Sequence, residues 1–173
     1  MISKRLAYWL RHRPDAGGLT LDAHGWVRVA DVLAALGRSG LPVGRAELDA
    51  VVAGNDKQRY VIAGDRIRAN QGHTVPVDLG LPLAVPPPTL WHGTSRRFLD
   101  RIRAEGLEPR GRHHVHLSGD RDTATRVAAR RPPSVILTVD AGRMVADGHR
   151  FRRSANGVWL VDHVPPAYLG ESA

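Results

Sequence analysis

The sequence predicts an α+β protein with two lobes joined by a proline-rich linker, and three observations carry this prediction. Residues 1–75 combine helical apolar patterns with one β-hairpin pattern, which is typical of a winged-helix-like lobe. Residues 76–89 are rich in proline and end in three consecutive prolines, as expected of a semi-rigid linker. Residues 90–173 contain more strand patterns than helical ones, so the second lobe is expected to be β-rich.

Composition sets limits on the partners and the compartment. The chain has 173 residues, no cysteine and a net charge of +8, which excludes disulfides and thiolate metal sites and favours a polyanionic partner, nucleic acid first. Its basic charge is almost all arginine, which binds phosphate bidentately but is also common under GC-rich coding. No run of 18 apolar residues and no signal-peptide pattern is present, so we expect a cytoplasmic protein with no membrane partner. A monomer is the default expectation for its oligomeric state.

The first helix pattern ends in a cluster of titratable side chains. Its apolar positions are Ile2, Leu6, Trp9 and Leu10. Because Pro14 cannot continue a helix, Arg11, His12 and Arg13 are expected in the last turn, where positive charge suits the helix dipole. Two interpretations stay open at this point: a solvated basic helix end, or a pocket in which guanidinium and imidazole bind an anion.

The remaining elements of the first lobe follow in order. Two short strands are expected at Leu19–Leu21 and Trp26–Val29, and helices at about 30–36 and 44–53. A hairpin is expected from Arg59–Ala63 and Arg66–Asn70. Lys57, Arg59, Arg66 and Arg68 place cations on both arms of this hairpin, which is compatible with a solvated face or with an anion site.

The second lobe is expected to alternate strands and helices. A strand at Thr89–His92 leads to a helix capped by Ser95, and a strand at His114–Leu117 leads to a helix over 120–131. Further elements are expected as a buried strand at Val135–Val139, a short helix at about 141–145, and strands at 151–153 and 158–161.

Two motifs of this lobe carry polar groups in a pattern that suggests a ligand. In His92-Gly93-Thr94 the glycine would let a ligand approach the backbone, although a strand-to-helix turn explains three such residues equally well. Four alternating positions, Arg112, His114, His116 and Ser118, would share one strand face. A metal site is one interpretation of the two histidines; an anionic ligand fits Arg112 better.

Together these segments resemble the RNA 2′-phosphotransferase (KptA-like) family over nearly the whole chain. The segments that carry the resemblance are 2–14, 19–22, 25–27, 57–60, 67–73, 90–94, 106–107 with Arg112, 115–118 and 156–160. Their order and spacing both agree with the family, which makes the set more specific than any single motif.

The resemblance implies a winged-helix RNA-binding lobe and an NAD-binding lobe with an ADP-ribosyltransferase-like fold. It implies a reaction in which an internal RNA 2′-phosphate attacks the nicotinamide ribose, and the ribose hydroxyl then attacks phosphorus. The products are RNA with a free 2′-OH, nicotinamide and ADP-ribose 1″,2″-cyclic phosphate. NAD⁺ is consumed as a co-substrate, no metal is needed, and tRNA splicing or processing is the expected context.

The resemblance also assigns roles residue by residue. A catalytic tetrad of Arg11, His12, Arg59 and Arg112, with Lys57 as helper, would bind one phosphoryl group with side chains from both lobes. The NAD⁺ pocket would contain His92, Gly93, Thr94, His116 and Ser118, and RNA binding would involve Arg68, Gln71 and His73. Two alternatives are an ADP-ribosyltransferase acting on terminal nucleic-acid phosphates and a non-catalytic winged-helix binding module.

Overall fold

The computed structural model describes residues 1–172, which form two compact units, one spanning Met1–Gly80 and the other starting at Leu81. Each unit combines helices with an antiparallel sheet, which confirms the predicted α+β class. The winged-helix-like and ADP-ribosyltransferase-like character of the two lobes stays a prediction. None of the helices in residues 1–172 has the length and apolar character needed to cross a membrane.

The first unit packs three helices on a small sheet. The helices are α1 (Ile2–Arg11), α2 (Val29–Arg38) and α3 (Arg45–Ala53). The strands β1 (Val27–Arg28), β2 (Tyr60–Ala63) and β3 (Arg66–Ala69) form an antiparallel sheet in the order β1-β3-β2. The predicted hairpin is confirmed by the β2–β3 pairing, and the apolar stripe of α1 contributes Leu6, Trp9 and Leu10 to the core.

Three predictions for this unit are wrong in detail. Helix α1 ends at Arg11, so His12 is the cap residue and Arg13 lies beyond the helix, because Pro14 opens a short 3₁₀ turn at Pro14–Gly17. The segment Leu19–Leu21 is not a strand, although Leu19 is buried in the core. Strand β1 is only two residues long because α2 begins at Val29, two residues after the strand starts.

The second unit contains two antiparallel sheets and three helices. One sheet has the order β4-β6-β9, formed by β4 (Thr89–Ser95), β6 (Ser134–Asp140) and β9 (Leu169–Glu171). The other has the order β5-β8-β7, formed by β5 (Val115–Leu117), β7 (Arg152–Arg153) and β8 (Trp159–Val161). The helices are α4 (Leu99–Glu105), α5 (Arg121–Ala128) and α6 (Ala141–Ala146). Their core includes Leu90, Leu117, Val139, Met144 and Phe151.

Several boundaries in this unit differ from the predictions. Strand β4 continues through Gly93 to Ser95, and Ser95 Oγ donates to the carbonyl of Pro133 instead of capping a helix; a 3₁₀ turn at Arg96–Phe98 precedes α4. Helix α5 ends at Ala128, before the arginines predicted for its last turn. Strand β9 was not predicted, because Pro165, Pro166 and Gly170 make this segment read as a loop.

The second half of the predicted linker belongs to the second unit by its hydrogen bonds. Ala84 N donates to the carbonyl of Phe151, and the carbonyl of Pro88 accepts from Gly142 N, both at 2.9 Å. Proline is compatible with this arrangement because Pro88 uses its carbonyl, which proline retains, and the N–H donor comes from Ala84, which is not a proline. The segment just before β4 is therefore held on the unit that contains β4.

Candidate active site

In the first unit, Thr74 joins the two residues at the end of α1. Thr74 N donates to the carbonyl of Arg11 at 2.8 Å, and its hydroxyl donates to the same carbonyl at 3.3 Å. Because that hydroxyl hydrogen is already used, Thr74 Oγ1 accepts from His12 Nδ1, 3.1 Å away. In the neutral ring of His12 the hydrogen then lies on Nδ1. Sequence reasoning assigned no role to Thr74, since a threonine in a loop carries no distinctive pattern.

The guanidinium of Arg11 packs against a glycine that the loop requires. Gly72 has a φ of 88°, and a Cβ on Gly72 would lie 3.6 Å from Cζ of Arg11. A side chain at this position would therefore combine an unfavourable backbone conformation with a contact on the guanidinium. The backbone of the loop at Gly72 therefore shapes one face of the Arg11 site.

Arg59 is oriented by Asn55, a residue to which the sequence analysis assigned no role. Oδ1 of Asn55 accepts from Arg59 N at 3.3 Å and from Arg59 Nη1 at 3.5 Å. The amide of Asn55 donates to Ser3 Oγ at 3.0 Å, and the hydroxyl of Tyr60 donates to the carbonyl of Ser3. Asn55 is buried, so this network links α1 to the start of the hairpin through fixed polar contacts.

A five-residue segment connects the Arg11 and Arg59 sites within the first unit. Asn70 N donates to the carbonyl of Arg59 and Thr74 N to that of Arg11, both at 2.8 Å. A segment of this length spans at most about 14 Å. Lys57 lies in the turn before Arg59, where Gln58 has a φ of 42° and its carbonyl accepts from the Asn70 amide at 2.6 Å. The structure thus brings Arg11, His12, Lys57 and Arg59 into one region.

The three predicted RNA-binding residues have different surroundings. Arg68 stacks on Trp26, with Cζ 4.6 Å from the ring centroid, and donates to the carbonyl of His24 at 3.3 Å. His73 is buried, and its Nε2 lies 3.2 Å from the position of a Cβ on Gly25. Gln71 is half-buried in the connecting segment. The roles of all three in RNA binding stay predictions.

In the second unit, the junction of the two sheets joins the polar motifs. Trp91 and Ser118 exchange backbone hydrogen bonds of 3.0 and 2.8 Å, which hold the start of β4 beside the end of β5. One residue further along β4, His92 Nδ1 lies 3.0 Å from the carbonyl of His116. Since a carbonyl only accepts, Nδ1 of His92 carries the hydrogen and Nε2 of the neutral ring is an acceptor.

Arg112 completes this cluster from a loop, not from the strand on which it was predicted. Strand β5 begins only at Val115, and Arg112 reaches back so that Nη1 donates to His116 Nδ1 at 3.1 Å. Because the guanidinium cannot accept, the neutral ring of His116 carries its hydrogen on Nε2. The predicted shared face of Arg112 with His114, His116 and Ser118 is therefore wrong for Arg112, although its proximity to His116 is real.

Two pKa values in this cluster are shifted, and both shifts favour the less charged form. Burial lowers the pKa of His92, the hydrogen bond to the His116 carbonyl opposes this, and the charge of Arg112 lowers it further. Partial burial of the guanidinium also lowers the pKa of Arg112, and the charge of Arg131 adds to this effect. His92 is consequently neutral at pH 7, with a lone pair on Nε2 available to a hydroxyl donor.

Gly93 has a packing function that the sequence did not predict. A Cβ at Gly93 would lie 2.2 Å from the carbonyl oxygen of Ala124 and 2.8 Å from Cβ of Ala128. The glycine thus lets α5 pack directly on β4, whereas sequence reasoning attributed it to a close approach by a ligand. Thr94 follows on the same strand, half-buried, and pairs with Val135 on β6.

His114 faces a carboxylate rather than a second ligating group. Its Nε2 lies 3.6 Å from Asp162 Oδ1, across the β5–β8 pair. Within residues 1–172, no group of three or more His, Cys, Asp or Glu side chains is arranged to hold a metal ion. The candidate site residues of each unit carry guanidinium and imidazole groups, which are able to bind anions and transfer protons.

Comparisons with known proteins agree with this chemistry. Residues 1–163 match the family model described as RNA 2′-phosphotransferase, Tpt1/KptA family. A probable RNA 2′-phosphotransferase of Streptomyces griseus is 59% identical, over 97% of this chain and 94% of the relative. Proteins with the same name are 58% identical in Streptomyces coelicolor, over 97% of this chain and 92% of the relative, and 55% identical in Agrobacterium fabrum, over 99% and 93%.

Proposed function

We propose that this chain, which belongs to the RNA 2′-phosphotransferase, Tpt1/KptA family, transfers the 2′-phosphate of RNA to NAD⁺. Removal of the 2′-phosphate from RNA is the enzyme's activity. The use of NAD⁺ as the acceptor and the assignment of individual residues are our proposal. The products would be RNA with a 2′-OH, nicotinamide and ADP-ribose 1″,2″-cyclic phosphate.

One observation supports the NAD⁺ part above the others: the ordered cluster of His92, His116 and Arg112. Neutral His92 offers Nε2 as an acceptor, within a cluster in which the Arg112 guanidinium donates to Nδ1 of His116. Acceptor and donor nitrogens at fixed positions suit the hydroxyl groups of a ribose, and guanidinium suits phosphate. Ser118 and Thr94 would extend this pocket with hydroxyl groups.

In the first step, the arginine side chains would position the 2′-phosphate and would not need to activate it. The phosphate oxygen forms a bond to the anomeric carbon of the nicotinamide ribose, and the bond to nicotinamide breaks with its electron pair. Arg11, Arg59 and Arg112 would hold the phosphate in line, which is most of the task because the nucleophile is already an anion. Asn55 would act as a positioning residue by fixing Arg59.

In the second step, the oxygen of the ribose 2″-hydroxyl gives up its proton and forms a bond to phosphorus, while the bond from phosphorus to the RNA 2′-oxygen breaks and that oxygen takes up a proton. Negative charge develops on the phosphoryl oxygens and on the leaving oxygen, and guanidinium groups stabilise it. His12 is suited to protonate the leaving oxygen from Nε2, because Thr74 engages Nδ1. Lys57 would contribute a further positive charge.

The direct test combines NAD⁺ with an oligoribonucleotide that carries one internal 2′-phosphate. We expect equimolar nicotinamide, dephosphorylated RNA and cyclic phosphate product, measured by chromatography and mass spectrometry. Release of inorganic phosphate without NAD⁺ would contradict the proposed acceptor. A stable ADP-ribosylated RNA with no second product would instead indicate a transferase that performs only the first step.

Arg11 and Arg13 form a matched pair for the same assay. Arg11→Ala should lower kcat/KM by about 10²–10³-fold, since it removes a guanidinium that stabilises developing charge. Arg13 is exposed and pairs with Asp15 at 2.8 Å, so Arg13→Ala should leave kcat/KM within about twofold. Equal losses in both variants would contradict the assignment of Arg11.

A further inference from the structure

The turn that carries Lys57 and Arg59 contains a residue in an unfavourable backbone conformation. Gln58 has a φ of 42°, in the left-handed region that favours glycine, and its side chain is exposed. A non-glycine residue keeps such a conformation only where the surrounding structure holds it there. Lys57 and Arg59 are the two chain neighbours of Gln58, so the conformation of Gln58 sets the directions in which both cationic side chains leave the backbone.

Two buried asparagines hold both backbone groups of Gln58. Its N–H donates to the carbonyl of Asn55 at 2.7 Å, and its carbonyl accepts from the side-chain amide of Asn70 at 2.6 Å. The backbone of Asn70 adds a further contact, since Asn70 N donates to the carbonyl of Arg59 at 2.8 Å. Asn70 is therefore bonded to two consecutive residues of the turn, and its side-chain bond is the one made to the strained residue.

The orientation of the Asn70 amide has an energetic cost. Nδ2 faces the carbonyl of Gln58, and Oδ1 is then buried without a hydrogen-bond partner among residues 1–172. A buried acceptor without a partner is unfavourable, but the opposite orientation of the amide would place Oδ1 against the carbonyl oxygen. Two unfavourable features, the buried Oδ1 and the positive φ of Gln58, thus meet at one hydrogen bond beside two cations. Strain of this kind is concentrated at functional sites.

We propose that Asn70 is a positioning residue for the second step: its amide holds Gln58 in the left-handed conformation, which directs Lys57 and Arg59 to one phosphoryl group. This inference rests on the proposed roles of Lys57 and Arg59. Their charges are needed most in the second step, in which negative charge develops on the phosphoryl oxygens. Without the amide the turn can change conformation, and the ADP-ribosylated RNA formed in the first step is consumed more slowly.

The test compares two replacements of Gln58 in the Asn70→Ala background. Asn70→Ala removes the amide and keeps the backbone bond to Arg59. Its kcat should fall by about 10-fold, the equivalent of one hydrogen bond, with accumulation of ADP-ribosylated RNA and KM for NAD⁺ within about twofold of wild type. Adding Gln58→Gly should restore part of the lost kcat, because glycine adopts a positive φ without strain. Adding Gln58→Ala is the matched control: it removes the same exposed side chain but keeps Cβ, so it should restore nothing.

A second variant, Gln58→Val, tests the same arrangement in a chain that keeps Asn70. It changes only an exposed side chain, and a β-branched residue tolerates a positive φ poorly. Its kcat should therefore fall and the same intermediate should accumulate, while circular dichroism shows a folded protein. This variant decides the question if Asn70→Ala does not fold.

The outcomes separate the inference from the proposals on which it rests. Wild-type kcat in folded Asn70→Ala or Gln58→Val would refute the role of Asn70, and so would equal effects of glycine and alanine at position 58. A wild-type second step in both Lys57→Ala and Arg59→Ala would refute the roles proposed for these two cations. Wild-type protein that forms no product from NAD⁺ and 2′-phosphorylated RNA would refute the proposed function itself.

Discussion

At the scale of single residues, His92 makes the stability of the protein depend on pH. Its pKa is lowered by burial in the native state, while in the unfolded chain it titrates near its ordinary value of 6.5. Below that value the unfolded state binds more protons than the native state, so stability present at higher pH is lost as the pH falls. Protonation would also add a positive charge beside Arg112.

We therefore expect the midpoint of urea unfolding to fall between pH 7 and pH 5, and His92→Asn to reduce this fall. The asparagine amide can still donate to the His116 carbonyl but does not titrate. Some dependence should persist, since burial also lowers the pKa of His114, with Asp162 opposing it. Identical profiles for wild type and His92→Asn would contradict this account.

The sequence predicts which residues belong to the candidate site, but it does not predict how the structure holds them. Arg11 and His12 stand out because the helix pattern that leads to them cannot continue past Pro14. Thr74 supports this site through hydrogen bonds to the carbonyl of Arg11, which lies 63 residues earlier in the chain. The orientation of Arg59 depends on a hydrogen bond that its guanidinium donates to Oδ1 of Asn55. Asparagine and threonine occur in many loops, so no local pattern distinguishes these two.

At the scale of elements, the α5–β4 contact depends on the absence of a side chain at Gly93. Gly93→Ala would place Cβ 2.2 Å from the backbone oxygen of Ala124, which cannot move unless α5 shifts. We expect a loss of about 1–3 kcal/mol in the free energy of unfolding, as for other overpacked sites. Gly111→Ala is the control, because no atom lies within 4 Å of its Cβ position. Equal stability of the two variants, measured by urea unfolding, would show that α5 adjusts freely.

The predicted elements succeeded where periodicity and turn residues agreed. The hairpin around Gly64-Asp65 combines alternating apolar residues with a turn pair, and its strands differ from the prediction by one residue at most. Ser95 failed as a helix cap because its strand continues to pair with β6 up to Ser134. Long-range pairing of this kind overrides a local capping signal.

At the scale of the whole molecule, hydrophobic burial and charge are organised differently. The two hydrophobic cores share no residue: one lies within residues 6–69 and the other within residues 90–164. The positive charge is present in both parts, since the first contributes Arg11, Lys57 and Arg59 and the second Arg112 and Arg131. Each unit can therefore bury its own hydrophobic core, and each carries cations of its own that can bind a polyanion.

This distribution predicts that salt will affect the two substrates unequally. Each phosphate that the protein neutralises on single-stranded RNA contributes about −0.7 to the slope of log affinity against log salt. With a net charge of +8, the chain is expected to contact several phosphates of an oligoribonucleotide, whereas NAD⁺ carries a single pyrophosphate. Between 50 and 200 mM salt, KM for a long 2′-phosphorylated RNA should therefore rise more steeply than KM for NAD⁺, and a dinucleotide carrying the same 2′-phosphate should show the shallower slope of NAD⁺. Equal slopes for the long RNA and the dinucleotide would mean that the positive charge outside the 2′-phosphate site does not contribute to RNA binding.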